Sequence, residues 1–142
     1  MSTTTANGMY VNLPVKDLKK SIAFFTSLGF SFNPQFTDDT ATCMVIGPNM
    51  CAMLLTHAKF GGFIKQPISD AHKTTEVLIA LDVGSRAKVD ELVGKAVAGG
   101  GKVFRDANDH GFMYEHAFQD IDGHIWELFH MDQAAFAKQQ GQ

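Results

Sequence analysis

Apolar side chains along the chain switch between two spacings, and the switches predict the order of elements. Tyr10 to Val15 (YVNLPV) is rich in β-formers and predicts a strand, with Pro14 near its end. Asp17 then stands as an N-cap or first-turn acid. Leu18, Ile22, Phe25 and Leu28 recur at helical spacing until Gly29 stops the run. Phe30 to Phe36, Ala41 to Ile46 and Met50 to Thr56 read as three strands. Their turns are Thr37-Asp38-Asp39-Thr40 and Gly47-Pro48-Asn49.

The second half spells the same order. Glu76 to Val83 (EVLIALDV) predicts a strand and Ser85 an N-cap. Val89, Leu92, Val93 and Ala96 form a helical apolar stripe, ended by Gly99-Gly100-Gly101. Lys102 to Arg105, Met113 to Gln119 and His124 to His130 read as strands, the last after the turn Asp120-Ile121-Asp122-Gly123. Laying Asp17 on Ser85 shifts the halves by 68 positions and puts Tyr10 on Leu78. The last strands align at a shift of 73, with His57 on His130 and Leu54 on Glu127. Few identities survive, so the order of elements is the stronger sign of repetition.

The expected plan is an α+β fold of two tandem βαβββ modules forming a half-open, eight-stranded cavity. A flexible tail covers 1–8, the first module 9–57, a connector or flap 58–75 and the second module 76–130. A C-terminal tail with a short helix occupies 131–142. The connector (AKFGGFIKQPISDAHKTT) is long for a compact protein and carries Phe60, Phe63 and Ile64.

Composition narrows the partners. Twelve basic against fifteen acidic residues give a net charge of −3, and no basic run exceeds Lys19-Lys20. That argues against nucleic acid and membrane surfaces. No stretch reaches the ~18 apolar residues of a membrane span. The first eight residues lack a signal-peptide pattern, so a cytoplasmic location is expected. Cys43 and Cys51 read as reduced, buried thiols.

VKDLKKSIAFFTSLGF at the first strand–helix junction and FQDIDGHIWELF at the end carry a resemblance. With the two βαβββ units, they resemble the vicinal oxygen chelate superfamily of glyoxalases, bleomycin- and fosfomycin-resistance proteins and extradiol dioxygenases. Within it, the chain looks most like small bacterial proteins labelled predicted lactoylglutathione lyases. The resemblance implies a cavity, a homodimer and, in the metal enzymes, ligands on the first, fourth, fifth and eighth strands. Transferred to this chain, those positions are Tyr10, Leu54, Leu78 and Glu127. Only Glu127 is an ordinary metal ligand, whereas a catalytic zinc usually takes three from protein.

Strand parity sorts the remaining candidates. Glu127 shares a face with Ile125 and Phe129, while His124 and His130 share the other with Trp126 and Leu128, where structural or exposed roles are ordinary. Glu115 and Gln119 point with Glu127 towards the cavity, and Tyr114, His116 and Phe118 towards the helix layer unless a bulge re-aims His116. Tyr10 and Asn12 share a face of the first strand, and His57 lies at the cavity mouth. Glu127 must find a partner or hold a ligand. It is either hydrogen-bonded to Tyr10 or a backbone amide, or it contacts a ligand, with burial raising its pKa towards that of a general base.

Two functions follow. The first is a small-molecule-binding protein without the usual metal, its ligand held by Tyr10, Asn12, Glu115, Gln119, Phe129, His57 and His116. The alternative is a metal-dependent lyase, isomerase or dioxygenase with zinc, nickel, manganese or iron. In it Glu127 is base or metal ligand, and Tyr10 donates to the developing oxyanion.

Overall fold

The computed structural model describes residues 2–141. The first residue of the expected N-terminal tail and the last of the C-terminal one lie outside them. The chain divides between Ile68 and Ser69 into two compact units. The two four-stranded sheets have the orders β1-β4-β3-β2 and β5-β8-β7-β6.

The first unit runs β1 (Met9–Val15), α1 (Leu18–Ser27), β2 (Ser31–Asn33), β3 (Ala41–Gly47), β4 (Met50–Thr56) and α2 (His57–Gly61). Asp17 caps α1 by accepting from the Lys20 amide at 3.1 Å. Gly29, at φ 100°, supplies the left-handed backbone that ends it. The strand expected over 30–36 shortens to Ser31–Asn33. Pro34 has no N–H for a ladder, and the Asn33 side chain accepts from the Gln35 amide at 3.0 Å, so the chain turns into a 3-10 helix.

One face of this sheet is the core. Leu13, Val15, Met44, Ala52 and Leu54 are buried there, and α1 contributes buried Leu18, Phe24 and Phe25. Each large side chain so withdrawn contributes about 1.5–3 kcal/mol. The opposite face carries Tyr10 and Asn12 beside Cys51 and Met53, because β1 runs parallel to β4 in that register.

This register corrects the alignment of the halves. Pro14 pairs with Leu55, and Asp82, its counterpart by the N-cap alignment, pairs with Phe129. Glu127 therefore corresponds to Met53, and Leu54 lies on the buried face. His57 misled the alignment: it opens α2, whereas its supposed match His130 is still in β8. A slip of one residue reverses every side chain in a strand.

The second unit runs β5 (Leu78–Asp82), α3 (Arg86–Ala98), β6 (Lys102–Asp109), β7 (Met113–Gln119), β8 (Ile125–Met131) and α4 (Gln133–Gly141). Ser85 caps α3. Val89, Leu92, Val93 and Ala96 of α3 are buried, as are Phe118, Trp126 and Leu128 of the sheet. Phe118 and Trp126 stack at 6.4 Å. The expected short strand from Lys102 continues to Asp109 as an exposed edge, with register shifts on both sides of Arg105. Arg86 grips Asp109 through two hydrogen bonds of 2.7 and 3.0 Å and holds its carboxyl down at about 2.

The turn before β8 is locked from two sides. Gln119 donates its amide to the Gly123 carbonyl at 2.8 Å and to the Ala71 carbonyl at 3.4 Å. Gly123 has φ 91°, and a Cβ there would stand 2.7 Å from the Ala71 carbonyl carbon and the His72 nitrogen. Gly123→Ala is therefore expected to cost about 2–4 kcal/mol from left-handed strain and backbone crowding. Urea unfolding measures it, and a loss within about 0.5 kcal/mol of zero, the scale of neutral surface changes, would show that the 71–72 backbone yields freely.

Candidate functional site

Ladder pairing assembles one polar cluster on the face of the second sheet turned away from Trp126. Ala80 of β5 and Ala117 of β7 both pair with Glu127, and Phe129 pairs with Glu115. On the β6 side Arg105 pairs with Ala117 and Asn108 with Glu115. Opposed residues share a face. Arg105, Glu115 and Glu127 therefore come together from three adjacent strands.

Their geometry is that of a bridged pair of carboxylates. Arg105 Nη2 donates to Glu127 Oε2 at 2.8 Å and to Glu115 Oε1 at 3.3 Å. His110, in the turn after β6, places Nε2 at 3.4 Å from Glu115 Oε2. The carboxylate side chains are 21% and 23% exposed and the guanidinium 42%, so solvent screens the cluster only in part. The Glu127 hydrogen bond is the main cause that holds the Arg105 pKa above its ordinary value. Two carboxylates around one guanidinium leave these three groups net negative.

The sequence-derived site residues distribute unevenly. Glu115, Glu127 and half-buried Phe129 share this face. Gln119 spends both amide protons on the Gly123 and Ala71 carbonyls. His116 lies on the other face, its Nδ1 buried without a hydrogen-bond partner and 3.8 Å from Asp90 Oδ1 of α3. Tyr114 beside it donates to the same Asp90 oxygen at 2.6 Å. Tyr10, Asn12 and His57 belong to the first unit and are exposed, Tyr10 by 60%. His57 is the first residue of α2, behind its N-cap Thr56.

His124 and His130 are both engaged. His124 is 2% exposed and meets Glu76 Oε1 through Nδ1 at 2.7 Å, and His130 Nδ1 meets Asp82 Oδ1 at 3.1 Å. The evenly spaced His124, Glu127 and His130 thus go to three different partners.

Arg105 is the residue that sequence reasoning missed. The partner foreseen for Glu127 was Tyr10 or a backbone amide; a guanidinium takes that role. The register shifts flanking Arg105 hid it, since they break the alternation that assigns faces. One signal was legible: the chain has only two arginines, Arg86 and Arg105, against fifteen carboxylates. The second lies in the strand next to β7.

The donor set can be tested against a divalent ion. Leu78 stands on the Glu127 face, 50% exposed, with no ligating atom. Met53, at the position corresponding to Glu127, offers a thioether, a poor ligand for hard divalent ions. The Glu127 carboxylate is already bonded to Arg105. These residues do not fit the glyoxalase-type set, and among the described residues no three His, Cys, Asp or Glu side chains are grouped to hold a metal.

Comparison with known proteins agrees with this architecture. A family model described as bleomycin resistance protein-like N-terminal matches residues 8–47. No curated protein matches the chain. A hypothetical protein from S. aureus is 31% identical, with 89% of this chain and 95% of that one covered, at a TM-score of 0.75. A glyoxalase/bleomycin resistance protein/dioxygenase family enzyme from Burkholderia phytofirmans is 18% identical over 86% of this chain and 96% of that one, TM-score 0.71. A fosfomycin resistance protein from Listeria monocytogenes, complexed with Mn(II) and sulfate, is 19% identical over 99% and 100%, TM-score 0.66. The last two show likeness of fold. With its two βαβββ units, its closing DIDGHIWEL strand and these likenesses, the chain has the vicinal oxygen chelate fold that glyoxalase, bleomycin-resistance and dioxygenase proteins share.

Proposed function

We propose that this protein is a glyoxalase/bleomycin-resistance-like binder of a small molecule, working as a homodimer without a divalent ion at Glu127. The observation that carries the reading is the Arg105 guanidinium bonded between Glu115 and Glu127. It supplies from the protein the positive charge that two adjacent carboxylates need. The face keeps one carboxylate in excess and is bordered by Leu78, Ala80 and Phe129. That mixture suits a ligand with an apolar body and a cationic group, able to share Glu127 with Arg105.

The test pairs two titrations. A thermal-shift screen sets amine-bearing aromatic compounds against their carboxylate isosteres, since a ligand of the native state raises apparent stability. Amine-bearing compounds should stabilise, and Glu127→Gln should weaken the best of them about tenfold or more, as loss of a charged hydrogen bond does. Manganese and zinc are then titrated into wild-type protein. Stoichiometric uptake, lost in Glu127→Gln, would replace this reading with the metal-dependent enzyme, which the Mn(II) in the Listeria relative keeps in view.

A further inference from the structure

One face of the first sheet carries three sulfur side chains that this reading does not use. Cys43 of β3 stands opposite Met53 of β4, and Cys51 stands opposite Val45. Cys43, Val45, Cys51 and Met53 therefore share one face of two adjacent strands. Tyr10 flanks Cys51 and Asn12 flanks Met53 on β1. Both cysteines are free; Cys43 is 3% exposed, and Cys51 and Met53 are half-buried.

We propose that Cys43, Cys51 and Met53 form a site for one thiophilic monovalent ion of the Cu(I) class. Three lines of chemistry support it. Thiolate and thioether sulfur select soft d¹⁰ ions over hard divalent ones. Opposed Cβ atoms on neighbouring strands lie about 4.5–5.5 Å apart and diagonal pairs about 7–8 Å or somewhat less. A disulfide wants its Cβ atoms within about 3.5–4.5 Å, which the diagonal Cys43–Cys51 relation exceeds. Metal–thiolate bonds of about 2.3 Å let one ion span sulfurs up to about 4.6 Å apart, so an ion bridges a gap that an S–S bond does not.

The protonation states give the site its pH dependence. Burial first, and then the hydrogen bond with Cys51, push the Cys43 thiol up to about 11. The Cys43 sulfur is therefore not a ready thiolate without the ion. On binding, each thiol releases its proton to solvent as its S–Cu bond forms, the Met53 thioether adds a lone pair, and copper stays Cu(I). Two protons leave per ion, so affinity rises with pH. This inference lies wholly within the first unit and is independent of the reading of Glu127.

The test is an anaerobic titration of the reduced, full-length protein against a coloured Cu(I) chelator, repeated with Ag(I), which has no accessible redox step. Native protein should withdraw one Cu(I) per chain and develop a near-ultraviolet sulfur-to-copper band. Cys51→Ser should lose at least about 100-fold in affinity and Met53→Leu about tenfold, the scale on which single ligand-shell changes act. Cys51 and Met53 are only half-buried, so these variants keep the test open if Cys43→Ser fails to fold. Protein that leaves the copper with its chelator, or Cys51→Ser that binds as tightly as wild type, would leave two free thiols and no site.

Discussion

Asp120→Ala is expected to lower unfolding free energy by about 3–5 kcal/mol, the cost of taking one buried charged acceptor from three donors. Asp120 is buried, and its carboxylate serves three N–H groups, two in the turn and one in β8. Oδ1 accepts from the Asp122 and His124 amides at 2.9 and 3.0 Å, and Oδ2 accepts from the Trp126 indole at 2.9 Å. Alanine leaves all three without that acceptor, on the turn that launches β8. Asparagine helps little, because its NH₂ would face a donor on one side or the other. Trp126 is the only tryptophan, so its fluorescence follows unfolding at the perturbed site itself. The urea midpoint should fall with an unchanged slope, and Tm should drop by about 10 °C. A loss below about 1 kcal/mol would mean that water replaces the carboxylate at little cost.

The pH dependence of that penalty has a defined sign. Burial holds the Asp120 carboxyl above its ordinary pKa, against the opposing pull of His124 and the hydrogen bonds. The folded chain therefore binds this proton more readily than the unfolded one. The stability linked to Asp120 is full below the unfolded carboxylate pKa and declines as pH rises through the folded one. The gap between wild type and Asp120→Ala should accordingly narrow as pH is raised from about 4 to 7.

Arg105→Ala is expected to make a divalent-metal site where the wild-type protein has an ion pair. A single atom, Arg105 Nη2, lies 2.8 Å from Glu127 Oε2 and 3.3 Å from Glu115 Oε1. Removing it leaves two carboxylates facing one small volume, with His110 Nε2 at 3.4 Å from the far oxygen of Glu115. Two glutamates and a histidine match the usual count for zinc, at bond lengths of about 2.0–2.2 Å, so closing on an ion needs only small side-chain shifts. Calorimetric titration should show Zn(II) or Mn(II) bound at least about tenfold more tightly than by wild type. Arg105→Lys keeps a cation in place and should gain nothing. Equal affinity in wild type and Arg105→Ala would show that the carboxylates do not converge once released.

Much of the fold was legible because its signals are local. Asp17 and Ser85 announce α1 and α3, and the glycines after each apolar stripe end them. What escaped depends on partners distant in the chain. Phe36 suggested a longer β2, but Pro34 cannot serve a ladder. RDAND lacks alternating apolar residues, yet pairing with β7 carries β6 through it. The site was half legible: parity placed Glu115 beside Glu127, while Arg105 was hidden by irregular register. The one-residue error between β4 and β8 came from trusting a shared histidine over strand pairing, and it concealed Met53 behind Leu54.

The backbone of Ala71 and His72 pressed against Gly123 bears on where the joining segment can change in length. The two units divide that segment unequally. Residues 69–75 fall to the second unit, which anchors Ala71 through Gln119, while 58–68 stay with the first. Drift in length should consequently be tolerated on one side of Ile68 and resisted on the other, so two halves outwardly equivalent now evolve under different constraints.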